Sequence, residues 1–394
     1  MTVKVDYLAV GRRKREQRSA LIPAKWRLSE EASRTLPVTS IPETCGILSR
    51  REVEITSRND AVELLSKIRT RELSAEETTL AFCKRAAIAQ QVTNCLTEIF
   101  FEQALTRARS LDAEQAAHPE RPLRPLHGLP ISLKDSFRIP GVDSTVGLIC
   151  YADRPDTKYS ELPQLLLDLG AVLYCKTNVP QTMMTADSDN NVFGRTLNPT
   201  NASLTAGGSS GGEGALVAMR GSILGVGTDV AGSIRIPSIC NGIYGFKPSV
   251  DVVPWGDQAD VVPTGIPGIF PVAGPMATSA RSCAFFMETI MRAEAWRYDT
   301  SCLHLRWSDV ILPAQLKIGV VYNDGMSTPW PPVRRALTES VARLVKAGIE
   351  IVPIVLPHVP EAVSVTYQLY SVDGSKASRD RMYRPGLTQL TIYS

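Results

Sequence analysis

No Cys-x-x-Cys pair and no regular cysteine spacing occur in this 394-residue chain, although it carries eight cysteines, at 45, 83, 95, 150, 175, 240, 283 and 302. Thiol pairs at metal or redox spacing are thereby excluded. Several cysteines sit inside apolar runs such as Val172-Leu173-Tyr174-Cys175, where reduced core thiols are expected. Histidine is scarce, four dispersed residues with no His-Glu-x-x-His, so the reading predicts no metal and no cofactor. Nowhere do about 18 apolar residues run uninterrupted, which predicts no membrane span. The N-terminus alternates polar and apolar residues ahead of its basic run and so lacks the order of a secretory signal. A cytoplasmic location is expected. The formal charge of +3 is thin for this length. Its one cluster, Arg12, Arg13, Lys14 and Arg15, reads as a solvated terminal face, and no nucleic acid is expected as a partner.

What the chain does have is an ordinary globular composition, 44% hydrophobic and 21% charged. Its length alone allows one large α/β domain or two or three smaller ones. Ala61, Val62, Leu64, Leu65 and Ile68 recur at helical spacing, with Ser57 and Asn59 as candidate caps. Ser74-Ala75-Glu76-Glu77 reads as a capping box opening a second helix. A third amphipathic segment covers 101–111. From His127 the texture changes to short apolar runs punctuated by Gly and Pro, at 129–133, 171–175 and 223–226, with a helical pattern at 161–169 ending in Gly170. Strands alternating with helices predict an α/β fold. A strand, a helix and a strand follow at 316–322, 333–347 and 349–355, whereas 250–275, rich in Pro and Gly, reads as surface loops.

Residues 205–238 carry glycine or serine at more than a third of positions, which brings backbone close to a ligand and turns N–H groups inward. A phosphate-binding loop would need a lysine after these glycines, and none follows. A Gly-x-Ser-x-Gly elbow matches at Gly207-Gly208-Ser209-Ser210-Gly211, but the preceding residues make a poor strand, and only His304 and His358 lie downstream. A flexible linker would not keep Leu216, Val217, Leu224 and Val226 spaced for burial.

Three separated motifs account for the stretch better: Gly128-Leu-Pro-Ile-Ser-Leu-Lys134-Asp135, the block around Ser209, and Gly227-Thr-Asp-Val-Ala-Gly-Ser233-Ile-Arg235. Together with Lys176-Thr-Asn-Val-Pro-Gln, Gly245-Phe-Lys-Pro-Ser and Gly274-Pro-Met-Ala, they make the chain resemble the amidase signature family over about residues 57–356. Its start, with Ile22-Pro and Trp26, is similar to the acetamidase-like branch of filamentous fungi. The resemblance implies a mixed β-sheet core covered by helices and hydrolysis of a carboxamide to acid and ammonia or amine. It implies Ser233 as nucleophile, Ser209 as bridging serine with a cis peptide, and Lys134 as base. It also implies Val230, Ala231, Gly232 and Ser233 as oxyanion donors. Each role has a reason: a serine hydroxyl is a poor nucleophile until a base removes its proton, and a lysine serves only when neutral. Ala231 stands where many relatives have glycine. Asp229 and Arg235 are expected to tie the loop, Ser210 to support Ser233, and Met183, Met184 and Thr185 to line the acyl pocket.

The expected organisation is an N-terminal extension at 1–56, an amidase signature domain at 57–373 and a divergent tail at 374–394, where family likeness is lost and the fold is expected to be incomplete. Two alternatives therefore stay open: a truncated, inactive homologue acting only as a binding protein, and a glutaminase subunit of the amidotransferase type. A small amide substrate is the expected partner, and the resemblance allows a homodimer.

Overall fold

In the computed structural model, which describes residues 6–33, 36–259, 268–313, 315–370, 372–374 and 376, the first helix is set by a cap. Asp6 accepts from the Leu8 and Ala9 amides to open α1 (Tyr7–Ala20). Two single turns, α2 (Glu30–Ser33) and α3 (Ile41–Thr44), lead into α4 (Arg50–Arg58), α5 (Ala61–Arg69) and α6 (Ala75–Thr93). The cap of α5 is Asp60, accepting from Glu63. Of the expected caps, Ser57 lies within α4 and Asn59 closes it. Ser74 does cap α6 through the Glu77 amide, but Arg51 takes the Glu77 carboxylate, so the box is made on one side only.

The basic run is not the solvated face expected. Arg12 is exposed, but Lys14 is buried and bonds Glu98 at 2.9 Å and Asp143 at 2.8 Å. Arg15 donates to the Val192 carbonyl, and Arg13 pairs with Asp153. Burial alone would lower the Lys14 ammonium, but Glu98 and Asp143 hold it above its ordinary value.

A mixed sheet follows. β1 (Leu96–Ile99) precedes α7 (Phe101–Ala117); β2 (Pro130–Lys134), α8 (Glu161–Asp168) and β3 (Val172–Thr177) form a parallel crossover; α9 (Gly211–Ala218) leads into β4 (Leu224–Asp229). After α10 (Arg235–Asn241) come β5 (Tyr244–Gly245), β6 (Val272–Ala277) and α11 (Ala280–Arg292). Strand order is β1-β3-β2-β4-β6-β5, with β2 parallel to β3 and β4 and the other pairs antiparallel. Every residue of β2, β3, β4 and β6 is buried, as near-continuous apolar runs require of central strands covered on both faces. Strand β6 corrects the reading of 250–275 as loops. Gly274 and Pro275 disguise it, yet the Pro275 carbonyl still accepts from Phe246 and the strand pairs on both sides.

The described residues from 307 to 374, with 268 and 269, make a separate unit. In it β7 (Lys317–Val320), α12 (Pro331–Lys346) and β8 (Glu350–Pro353) form the expected β-α-β, with the strands parallel, and α13 (Val359–Tyr370) follows. Trp330, Val333, Val345 and Val355 of this unit are exposed. Among the described residues no helix is long and apolar enough to cross a membrane. The expected divergent tail lies outside the described residues apart from 374 and 376.

Candidate active site

Parallel strands place their carboxyl ends together, and β2 and β4 deliver Lys134 and Thr228 there side by side. Lys134 is fully buried; its Nζ lies 2.7 Å from Ser209 Oγ and 2.7 Å from Thr228 Oγ1. Ser209 stands just ahead of α9, and the Gly208–Ser209 peptide is cis. Position 208 must be glycine, because a Cβ there would lie 2.5 Å from the Thr185 carbonyl oxygen.

Ser233 sits on the turn between β4 and α10, nearly buried, and its carbonyl accepts from the Ser210 amide at 3.2 Å. Support from Ser210 thus comes through its backbone. Its hydroxyl is used 3.3 Å from both the Thr228 amide and the Thr228 carbonyl, locking the loop before α9 to the end of β4. The structure therefore joins Lys134 to Ser209 by side chains and Ser209 to Ser233 by neighbouring backbone. The Ser233 hydroxyl has no partner among the described residues.

Asp229 organises the turn. Its buried carboxylate accepts from the amides of Gly232 at 2.7 Å, Ile234 at 3.1 Å and Arg235 at 3.4 Å, and pairs with the Arg235 guanidinium through two 3.0 Å bonds. Burial pushes this acid up, but Arg235 and the Ile234 and Gly232 amides outweigh it, and the group stays below its ordinary range. The Gly232 amide, one of the four expected oxyanion donors, donates to Asp229. Positive φ falls on Gly232, at 124°, and not on Ala231, so the alanine is accommodated without strain.

Met183 packs on the apolar cluster of Val146, Leu148, Cys150 and Ala259, Met184 is exposed, and Thr185 bonds the Asp187 carbonyl at 3.0 Å. Of the three expected pocket residues, Thr185 lies against the Ser209 loop through its carbonyl oxygen, which faces Gly208. Sequence reasoning missed Thr228, although it stands in the same motif as Ser233. It also missed Asp135, whose carboxylate accepts from Thr97, Thr145 and the Val146 amide and anchors the residue after Lys134.

Among solved structures, the chain is similar to fatty acid amide hydrolase with a TM-score of 0.92 and 31% identity, over 98% of this chain and 69% of that one. A bacterial aryl acylamidase of the amidase signature enzymes follows at a TM-score of 0.72 and 25% identity, covering 83% and 69%. Fold and site together define a hydrolase acting on amides. The chain is 43% identical to an amidase of Gibberella moniliformis over 94% of its own length and 71% of that protein's. It is 41% identical to an acetamidase of Emericella nidulans over 92% and 67%. The family described as Amidase matches residues 77–391, and the chain belongs to that family.

Proposed function

We propose that this amidase works through Ser233, Ser209 and Lys134. The supporting observation is a fully buried lysine 2.7 Å from a serine hydroxyl, with a second serine on the turn bonded to the next residue. Neutral Lys134 takes the Ser209 proton as Ser209 takes that of Ser233, and the Ser233 oxygen attacks the carboxamide carbon. The amides of Ala231 and Ser233, with Val230 at the head of the turn, face the negative oxygen. The proton returns through Ser209 to the leaving nitrogen, ammonia or amine departs, and water repeats the sequence to free the acid.

A short linear carboxamide is the proposed substrate, supported by the acetamidases among the relatives. Mixing enzyme with a short-chain carboxamide and quenching should leave an acyl group on the Ser233 peptide by mass spectrometry, and Ser233→Ala should lower turnover roughly 10³-fold or more. Acyl found on Ser209, or turnover retained by the variant, overturns the assignment. We further place the protein in the cytoplasm, a reading supported by eight unbridged thiols. A homodimer is supported by the exposed apolar residues of the β7–β8 unit, and sedimentation as a monomer at working concentration removes it.

A further inference from the structure

One turn beyond Ser209, on α9, lies a carboxyl that the scheme above leaves unused. Glu213 is completely buried. Ser132 and Lys134 share a face of β2, two residues apart; Ser132 is in register with Gly225 of β4 and Lys134 with Thr177 of β3. Glu213 occupies the bay these four residues outline. Its Oε2 lies 2.6 Å from Thr177 Oγ1, and its Oε1 is in contact with Ser132 Oγ. A Cβ at position 225 would lie 1.7 Å from Glu213 Oε1, so the strand carries glycine where the carboxyl enters.

A count of hydroxyl protons shows what the bay can hold. Ser222 donates to the Leu224 carbonyl at 3.1 Å and lies 2.8 Å from Ser132 Oγ. Ser132 has one proton, for Ser222 or for Glu213. Given to Ser222, it leaves Ser132 an acceptor for a protonated Glu213. Given to Glu213, it solvates a carboxylate. Rotation of one hydroxyl therefore satisfies both charge states without moving a heavy atom.

We propose that Glu213 is a positioning residue for the amidase reaction, its switch between acid and carboxylate setting how firmly Lys134 holds a proton. Burial, opposed by Ser132, Thr177 and the charge of Lys134, pushes Glu213 up to about 7. Of the other titratable groups around it, burial holds Tyr174 and Cys175 of β3, Cys95 ahead of β1 and Cys83 of α6 protonated. On β4, Asp229 is engaged by Arg235, and Cys240 of α10 is raised by burial. A carboxylate at 213 favours the ammonium form of Lys134, which cannot accept the Ser209 proton. The two groups then titrate as a pair, and the acid limb of the pH–rate profile belongs to both.

The inference rests on Lys134 being the base. Its test is the profile of kcat/KM for a short-chain carboxamide, read by ammonia release, in wild type, Glu213→Gln and Thr177→Val. Glutamine keeps the shape and removes the charge, so the acid limb should move to lower pH by about one unit. Thr177→Val removes a donor to the carboxylate, favours the acid, and should move the limb the same way with little change to the fold. A limb that stays in place in both variants, whatever happens to kcat or Tm, reduces Glu213 to packing and overturns the inference. If Lys134→Ala keeps the limb, the base assignment itself has failed. If that variant loses the limb while the Glu213 and Thr177 variants leave it unmoved, only the present inference falls.

Discussion

At the scale of single residues, the decisive contrast is between a buried amine and a buried imidazole. Lys134 touches Ser209 and Thr228, whereas His127, in the turn before β2, is buried with its Nε2 unpartnered and is held below its ordinary value by burial. Only the neutral amine can accept a proton, so activity should fall as pH falls and recover toward alkaline pH. Lys134→Ala should remove that limb together with most of the rate, and His127→Gln should leave it in place. A histidine variant that lost the limb while the lysine variant kept it would point to an imidazole base.

At the scale of elements, the turn from β4 into α10 is held by one carboxylate serving three amides and a guanidinium. The two partners of its ion pair are unequal, because the Asp229 side chain is fully buried and that of Arg235 is half exposed. Asp229→Ala should cost about 2–3 kcal/mol in denaturant unfolding, since it orphans several donors at once. Arg235→Ala should cost less than about 1 kcal/mol, its charge being largely answered by water. Equal losses would show that the ion pair, and not the amides, holds the turn. Much of this turn was legible beforehand, since the resemblance of the Gly227–Arg235 motif to the amidase signature family named Asp229, Ser233 and Arg235. The strands β2, β3 and β4 were legible too, as apolar runs bounded by glycine. Strand β6 was not, because Gly274 and Pro275 carry turn chemistry and only the partners on either side make them a strand. Lys14 was missed for a related reason: a basic run reads as solvated until Glu98 and Asp143, 84 and 129 residues away, close on it. Glu213 was missed because nothing local to it reveals the hydroxyls of β2 and β3.

At the scale of the whole molecule, buried acids set the pH dependence of stability. Burial pushes Glu98, despite Lys14, and Glu213, despite its hydroxyl donors, to about 7 from an ordinary 4.5. The folded state therefore binds more protons than the unfolded chain between those values, and stability falls as pH rises through them. Asp60 and Asp229 act oppositely: burial raises both, but their hydrogen bonds leave them lowered, so their contribution is lost only in stronger acid. Tm should therefore decline from pH 5 to pH 8, and Glu98→Gln and Glu213→Gln should each flatten the decline; a Tm that climbs over this interval contradicts the burial of these acids.

The cysteines give the same molecule a built-in clock. Six of the eight are buried and two, Cys45 and Cys240, are partly accessible. Cys83 on α6, Cys95 ahead of β1 and Cys175 in β3 are enclosed at three different places in the chain, with burial raising each thiol. An alkylating reagent can reach these three only when the surrounding structure opens, so the order in which they are modified traces how helix and sheet come apart, with no label to be introduced.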